Sequence, residues 1–239
     1  MGERVAQLTF DLGIEAPAAT MADFVPAPSN EAARQWLAHT ETWPLRRLAL
    51  NGPAGSGKTH LARAWAGPCP TLDGATLAVP AAPPGAPRLV IDNADAAPAD
   101  ALLHWINLCA GQNCALLLVA RPLAARFPYT LPDLVSRLRA TSAVGIAPPE
   151  DALLSALFAR ALSLRQMRVA PEVQAWLLAH LPRNQAAILE AVAALDAASL
   201  RSQARITRGF ARATLVAMLS ADDGPDDAQP VPRPTMSSP

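Results

Sequence analysis

Apolar and polar positions change rhythm once along this 239-residue chain, near residue 149. Before that point, short apolar runs alternate with longer stretches in which apolar residues recur every three or four positions. The runs at 46–50, 89–91, 115–119 and 143–146 predict strands. The run at 115–119 is apolar throughout, as expected of a strand covered on both faces. The spacing predicts helices from Ser29-Asn30, either of which could cap, to about His39, then over 58–66 and 97–110. Strands alternating with helices imply an α/β fold, a parallel sheet with helices on both faces. The Pro-rich stretch 80–87 stands where an ordinary α/β unit would carry a helix.

From Pro149 onward the strand signals stop. Stretches 150–167, 171–181, 184–200 and 207–219 all place apolar residues at helical spacing, which predicts a small all-helical domain. The expected organisation is a flexible arm over 1–20, an α/β domain over 21–148, a helical domain over 149–219 and a disordered tail over 220–239. The tail holds four Asp and five Pro with no apolar period.

Composition narrows the class. Hydrophobic residues make up 51% and charged residues 17%, so there is ample material for a core. Lys plus Arg is 20 and Asp plus Glu is 20, and the zero net charge argues against a strongly basic nucleic-acid binder. Three cysteines, Cys69, Cys109 and Cys114, form no CxxC pair and have no His at zinc-ligand spacing; they read as reduced thiols. No apolar stretch approaches the ~20 residues that a membrane span needs. Residues Met1-Gly2-Glu3-Arg4 open no apolar signal run, so the expected location is cytoplasmic, with no membrane partner.

The strongest chemical signal is Gly52-Pro53-Ala54-Gly55-Ser56-Gly57-Lys58-Thr59. It fits G-x-x-x-x-G-K-[ST] without mismatch, between a predicted strand and a predicted helix. The glycines let backbone N–H groups face a phosphate, and the helix that follows adds its positive dipole end. Lys58 would supply charge to the β- and γ-phosphates, and the Thr59 hydroxyl would bind magnesium. Asp92 closes the strand 89–92 and would hold the same Mg2+. The next residue is Asn93, where an efficient ATPase of this type has an acid; an amide can orient a water but cannot take its proton. The expected ligand is therefore ATP or ADP with Mg2+, and the expected intrinsic hydrolysis is weak.

A P-loop α/β domain followed by a helical lid resembles the AAA+ family. Asp23-Phe24-Val25 with Ser29-Asn30 is similar to the leading segment of the replication initiator DnaA. The stretch 89–95, Leu-Val-Ile-Asp-Asn-Ala-Asp, resembles that of Hda-type regulators, where Asn also follows the Asp. Residues 131–138, Leu-Pro-Asp-Leu-Val-Ser-Arg-Leu, resemble the arginine-finger segment of both. Gln7-Leu8-Thr9-Phe10-Asp11-Leu12 is similar to the motif with which Hda-type proteins dock on the sliding clamp of DNA polymerase III. Here Gln7 and three apolar anchors, Leu8, Phe10 and Leu12, would make the contact, with Phe10 and Asp11 departing from the usual Leu and Pro.

The resemblance implies a clamp-tethered AAA+ adaptor that stimulates hydrolysis of DnaA-bound ATP and so restrains replication initiation. Its partners would be the clamp and DnaA, with DNA reached only through the clamp; a homodimer stays open. Arg137 would be the finger acting in trans on the partner's nucleotide, with Arg139 a nearby surface charge. Two polar sensor positions of the family are Ala120 and Ala186 here, which further weakens the case for self-catalysed turnover. The alternative is a P-loop ATPase that loads or remodels a replication helicase. Asn93, zero net charge and the motif at 7–12 argue against it. A DnaA-like initiator would need a DNA-reading helix-turn-helix, where this sequence has the acidic tail.

Overall fold

The computed structural model describes residues 24–80, 82, 85–216, 218 and 219. The arm with Gln7, Leu8, Phe10 and Leu12, and the tail 220–239, lie outside the described residues.

Five strands form one sheet: β1 (Arg47–Asn51), β2 (Thr71–Asp73), β3 (Arg88–Asp92), β4 (Ala115–Ala120) and β5 (Ser142–Gly145). The order is β2-β3-β4-β1-β5, and every pairing is parallel. All six residues of β4 are buried, since it lies between β3 and β1 with helices on both faces. Side chains alternate between two cores, as the two-residue period of a strand requires. Leu48, Leu50, Leu117 and Val119 pack against α1 (Glu31–Ala38) and α2 (Lys58–Ala66). Ala49, Ile91, Leu116 and Leu118 pack against α3 (Ala99–Gly111) and α4 (Pro132–Arg139).

Strand β2 is a fifth strand that the apolar runs do not predict. It has three residues, two of them exposed, at the sheet edge. Between β2 and β3 the described residues hold only the 3-10 turn Gly74–Thr76, in keeping with the missing helix read from the Pro-rich stretch. Asn30 precedes α1, but its side chain does not cap that helix. It accepts from the Ala27 N–H and donates to the Val25 carbonyl.

Four helices follow: α5 (Asp151–Leu164), α6 (Pro171–His180), α7 (Gln185–Ser202) and α8 (Arg208–Thr214). They enclose their own core of Phe158, Leu177, Ile188, Val192 and Leu195. Asn184 caps α7, its Oδ1 accepting from the Ala187 N–H at 2.8 Å, and Thr207 caps α8 in the same way. The last helix is shorter than its apolar spacing suggests, because Leu215 leaves helical geometry. Among the described residues no helix is long and apolar enough to cross a membrane.

Candidate functional site

In an open parallel sheet, ligands bind beyond the carboxyl ends of the strands where the order reverses. Here that point lies where β1 sits between β4 and β5. The loop 52–57 leaves β1 at this point and leads into α2. Gly55 and Gly57 hold φ of 72° and 88°, the left-handed region that glycine adopts at least cost, so the backbone turns back toward the start of α2. Lys58 opens the helix and is buried, its Nζ donating to the Pro53 carbonyl at 2.7 Å. Its pKa is lowered, first by burial and then by Arg121, while Asp92 and Asp95 oppose the shift. The buried Ser56 Oγ has no hydrogen-bond partner among the described residues. A glycine cradle, a buried cation and an unpartnered hydroxyl together suit a nucleotide's phosphates. Thr59 and Asp92 are half-buried at the same end of the sheet, which suits a magnesium ion.

Asp92 and Asn93 close β3. The Asp92 Oδ1 accepts from the Asn93 N–H at 3.0 Å. Asn93 is exposed, with φ 52° and ψ 40°, and its amide donates to Asp73 Oδ1 at 3.1 Å. Its side-chain donor is thus turned toward the end of β2. No pattern in the sequence points to Asp73, because the three-residue edge strand β2 carries no apolar signal. Ala120, buried at the end of β4, and Ala186, exposed in the first turn of α7, bring no polar group to the site.

The helical domain reaches this site through the start of α7. The Gln185 N–H donates to the Gly55 carbonyl at 2.9 Å. A Cβ on Gly55 would stand 2.6 Å from Asn184 Oδ1, and one on Gly57 would stand 2.6 Å from Gln185 Oε1. Two amide side chains therefore lie directly on the phosphate loop. The capping role of Asn184 is readable from sequence, but its seat on the loop is not. Arg183 pairs instead with Asp151 at the start of α5.

Arg137 is placed elsewhere. Strand β5 runs parallel to β1 and starts beside Leu48, so the last turn of α4, just before β5, lies at the opposite end of β1 from the loop. Arg137 and Arg139 are exposed, and among the described residues no carboxylate pairs with either. The phosphate-loop residues, Asp92 and Asn93 thus come together, and Arg137 stands apart from them.

Residues 150–215 match the family model of the Hda lid domain. Domain III of the replication initiation protein DnaA from Thermotoga maritima superposes with a TM-score of 0.71 at 15% identity, over 85% of this chain and 98% of that one. DnaA from Aquifex aeolicus, bound to AMPPCP, superposes with a TM-score of 0.59 at 15% identity, over 74% of this chain and 64% of that one. A RuvB variant from Thermotoga maritima gives 0.62 at 16% identity, over 83% and 72%. The core is therefore an AAA+ fold. The comparison with curated proteins gives no match.

Proposed function

We infer that the chain is an Hda-type, DnaA-related AAA+ protein, a reading supported by the match of residues 150–215 to the Hda lid domain and by the DnaA-like fold. It is a regulator of replication that acts on DnaA. It binds ATP or ADP with Mg2+ at Gly52–Thr59 and Asp92, and it stimulates hydrolysis of DnaA-bound ATP through Arg137. Its tether is the sliding clamp, engaged by Gln7, Leu8, Phe10 and Leu12.

The observation that carries this reading is the separation of Arg137 from the protein's own phosphate loop. Its guanidinium stands exposed, with no carboxylate partner among the described residues, at the far end of β1. Such a cation is available to a second molecule. In trans, an arginine acting on a γ-phosphate raises hydrolysis by about 10³–10⁵-fold. The neutral Asn93, its amide turned to Asp73, supports weak turnover at the protein's own site.

The test is hydrolysis of DnaA-bound ATP in the presence of clamp-loaded DNA. Arg137→Ala is expected to remove nearly all the stimulation, a loss of roughly 10³-fold if the arginine supplies what such fingers supply elsewhere. A Gln7→Ala, Leu8→Ala double variant should lose clamp binding and, with it, stimulation. Wild-type stimulation by folded, clamp-bound Arg137→Ala would remove the finger assignment.

A further inference from the structure

The C-terminal turn of α4 leaves its last carbonyls without helical partners, as every helix does. One of them belongs to Arg137. Arg47, the first residue of β1, donates to that carbonyl from Nη2 at 2.9 Å. Its Nε donates to Thr141 Oγ1 at 2.6 Å, and the Thr141 hydroxyl donates in turn to the same Arg137 carbonyl at 2.8 Å. Arg47 is only 4% exposed, and among the described residues no carboxylate pairs with it. It lines a cleft of about 410 Å³ together with Leu45, Arg46, Ser136 and Arg137.

A cation that satisfies the last carbonyls of a helix also stabilises it, so Arg47 contributes to the fold as well. Its burial pushes its pKa down, and the nearby Arg137 charge adds to that. Arg47 also acts locally. It fixes the backbone atom next to the Arg137 Cα, so that a long, exposed side chain leaves from a fixed base. Misplacing a catalytic group by about 1 Å can cost about 10²-fold in rate.

We propose that Arg47 is a positioning residue for Arg137, holding the last turn of α4 so that the Arg137 guanidinium enters a partner's nucleotide site in the productive geometry. This rests on the reading of Arg137 as the group that acts in trans.

The experiment uses the full chain with clamp-loaded DNA and ATP-bound DnaA, and it separates the maximal stimulated rate from the half-maximal concentration. Arg47→Met leaves the Arg137 carbonyl still bonded to Thr141. It should melt somewhat below wild type but cooperatively and keep the half-maximal concentration, yet lower the maximal rate by about tenfold or more. Arg47→Lys, which keeps the charge but not the fork, should recover part of that loss. Combined with Arg137→Ala, Arg47→Met should slow the reaction no further, because groups acting as one unit are not additive. Should Arg47→Met fail to melt cooperatively, Arg47→Lys decides alone, by a lowered maximal rate at unchanged half-maximal concentration. Wild-type maximal rates in both Arg47 variants, beside an inert Arg137→Ala, would overturn the Arg47 proposal only. Wild-type rates in Arg137→Ala would overturn the reading of Arg137 itself, and this proposal with it.

Discussion

The Tyr129 hydroxyl lies 2.6 Å from the Ala97 carbonyl and 3.0 Å from the Ala94 carbonyl, so one proton ties the approach to α4 to the turn that follows Asp92 and Asn93. Burial and the nearby Asp95 charge push its pKa up to about 12. Tyr129→Phe should cost about 1 kcal/mol, the net worth of one hydrogen bond. In a chain of this size that lowers Tm by roughly 2–4 °C. The pH dependence has a defined sign. The folded tyrosine stays neutral while the unfolded one ionises above its ordinary value of 10.0, so its contribution is complete below pH 10 and fades toward about 12. The stability gap between wild type and Tyr129→Phe, measured by denaturant titration at a series of pH values, should therefore narrow across that range; a constant gap would contradict the assignment. Residues like this one are hard to read from sequence, because Tyr129 acts on backbone atoms 32 and 35 positions away. Gly52–Thr59 are legible for the opposite reason: their chemistry is carried by neighbours in the chain. Asn93 is half-legible. Its neutral amide can be read, but its partner Asp73 cannot, since a three-residue edge strand leaves no apolar trace.

At the scale of elements, the contact between α7 and the phosphate loop is the feature most open to test. Asn184 serves twice there, capping α7 and filling the space beside Gly55. Asn184→Ala should cost about 1 kcal/mol through the lost cap. Gly55→Ala meets two obstacles: a φ of 72°, which penalises any Cβ, and the Asn184 oxygen 2.6 Å from where that Cβ would stand. Only the second is relieved by shortening Asn184. In a double-mutant cycle followed by urea denaturation, Gly55→Ala should therefore cost less in the Asn184→Ala background than in wild type, by at least about 0.5 kcal/mol. Strict additivity would mean that the lid does not rest on the loop in solution. The elements themselves were largely readable. Four strands and seven of the eight α-helices follow from apolar runs and helical spacing; α4, eight residues long, does not. Strand order is a long-range property: placing β1 between β4 and β5 depends on pairings that no local pattern encodes.

At the scale of the whole molecule, charges are unevenly placed along the sheet. Asp73, Asp92 and Asp95 gather at the carboxyl ends of β2 and β3, whereas Arg46, Arg47 and Arg137 line one cleft at the opposite end of β1. The strand between Arg47 and the loop has five residues, which at ~3.3 Å each separates its ends by about 13 Å. On the proposed reading, Arg137 serves a neighbour's nucleotide and not its own. Two consequences follow from that geometry. Arg137→Ala should leave any ATP turnover of the protein alone, measured under single-turnover conditions, within about twofold of wild type, while Lys58→Ala should weaken nucleotide binding by about 10–150-fold, the worth of one charge-assisted hydrogen bond. A fall in the protein's own turnover in Arg137→Ala would show that the arginine closes on its own site or on that of a second copy. The arginines gathered around Arg137 also favour encounter with the negatively charged nucleotide of a partner. Such steering is screened over about 8–10 Å at 0.1–0.15 M salt. The concentration needed for half-maximal stimulation should therefore rise with ionic strength while the maximal rate, set by the geometry once docked, changes little.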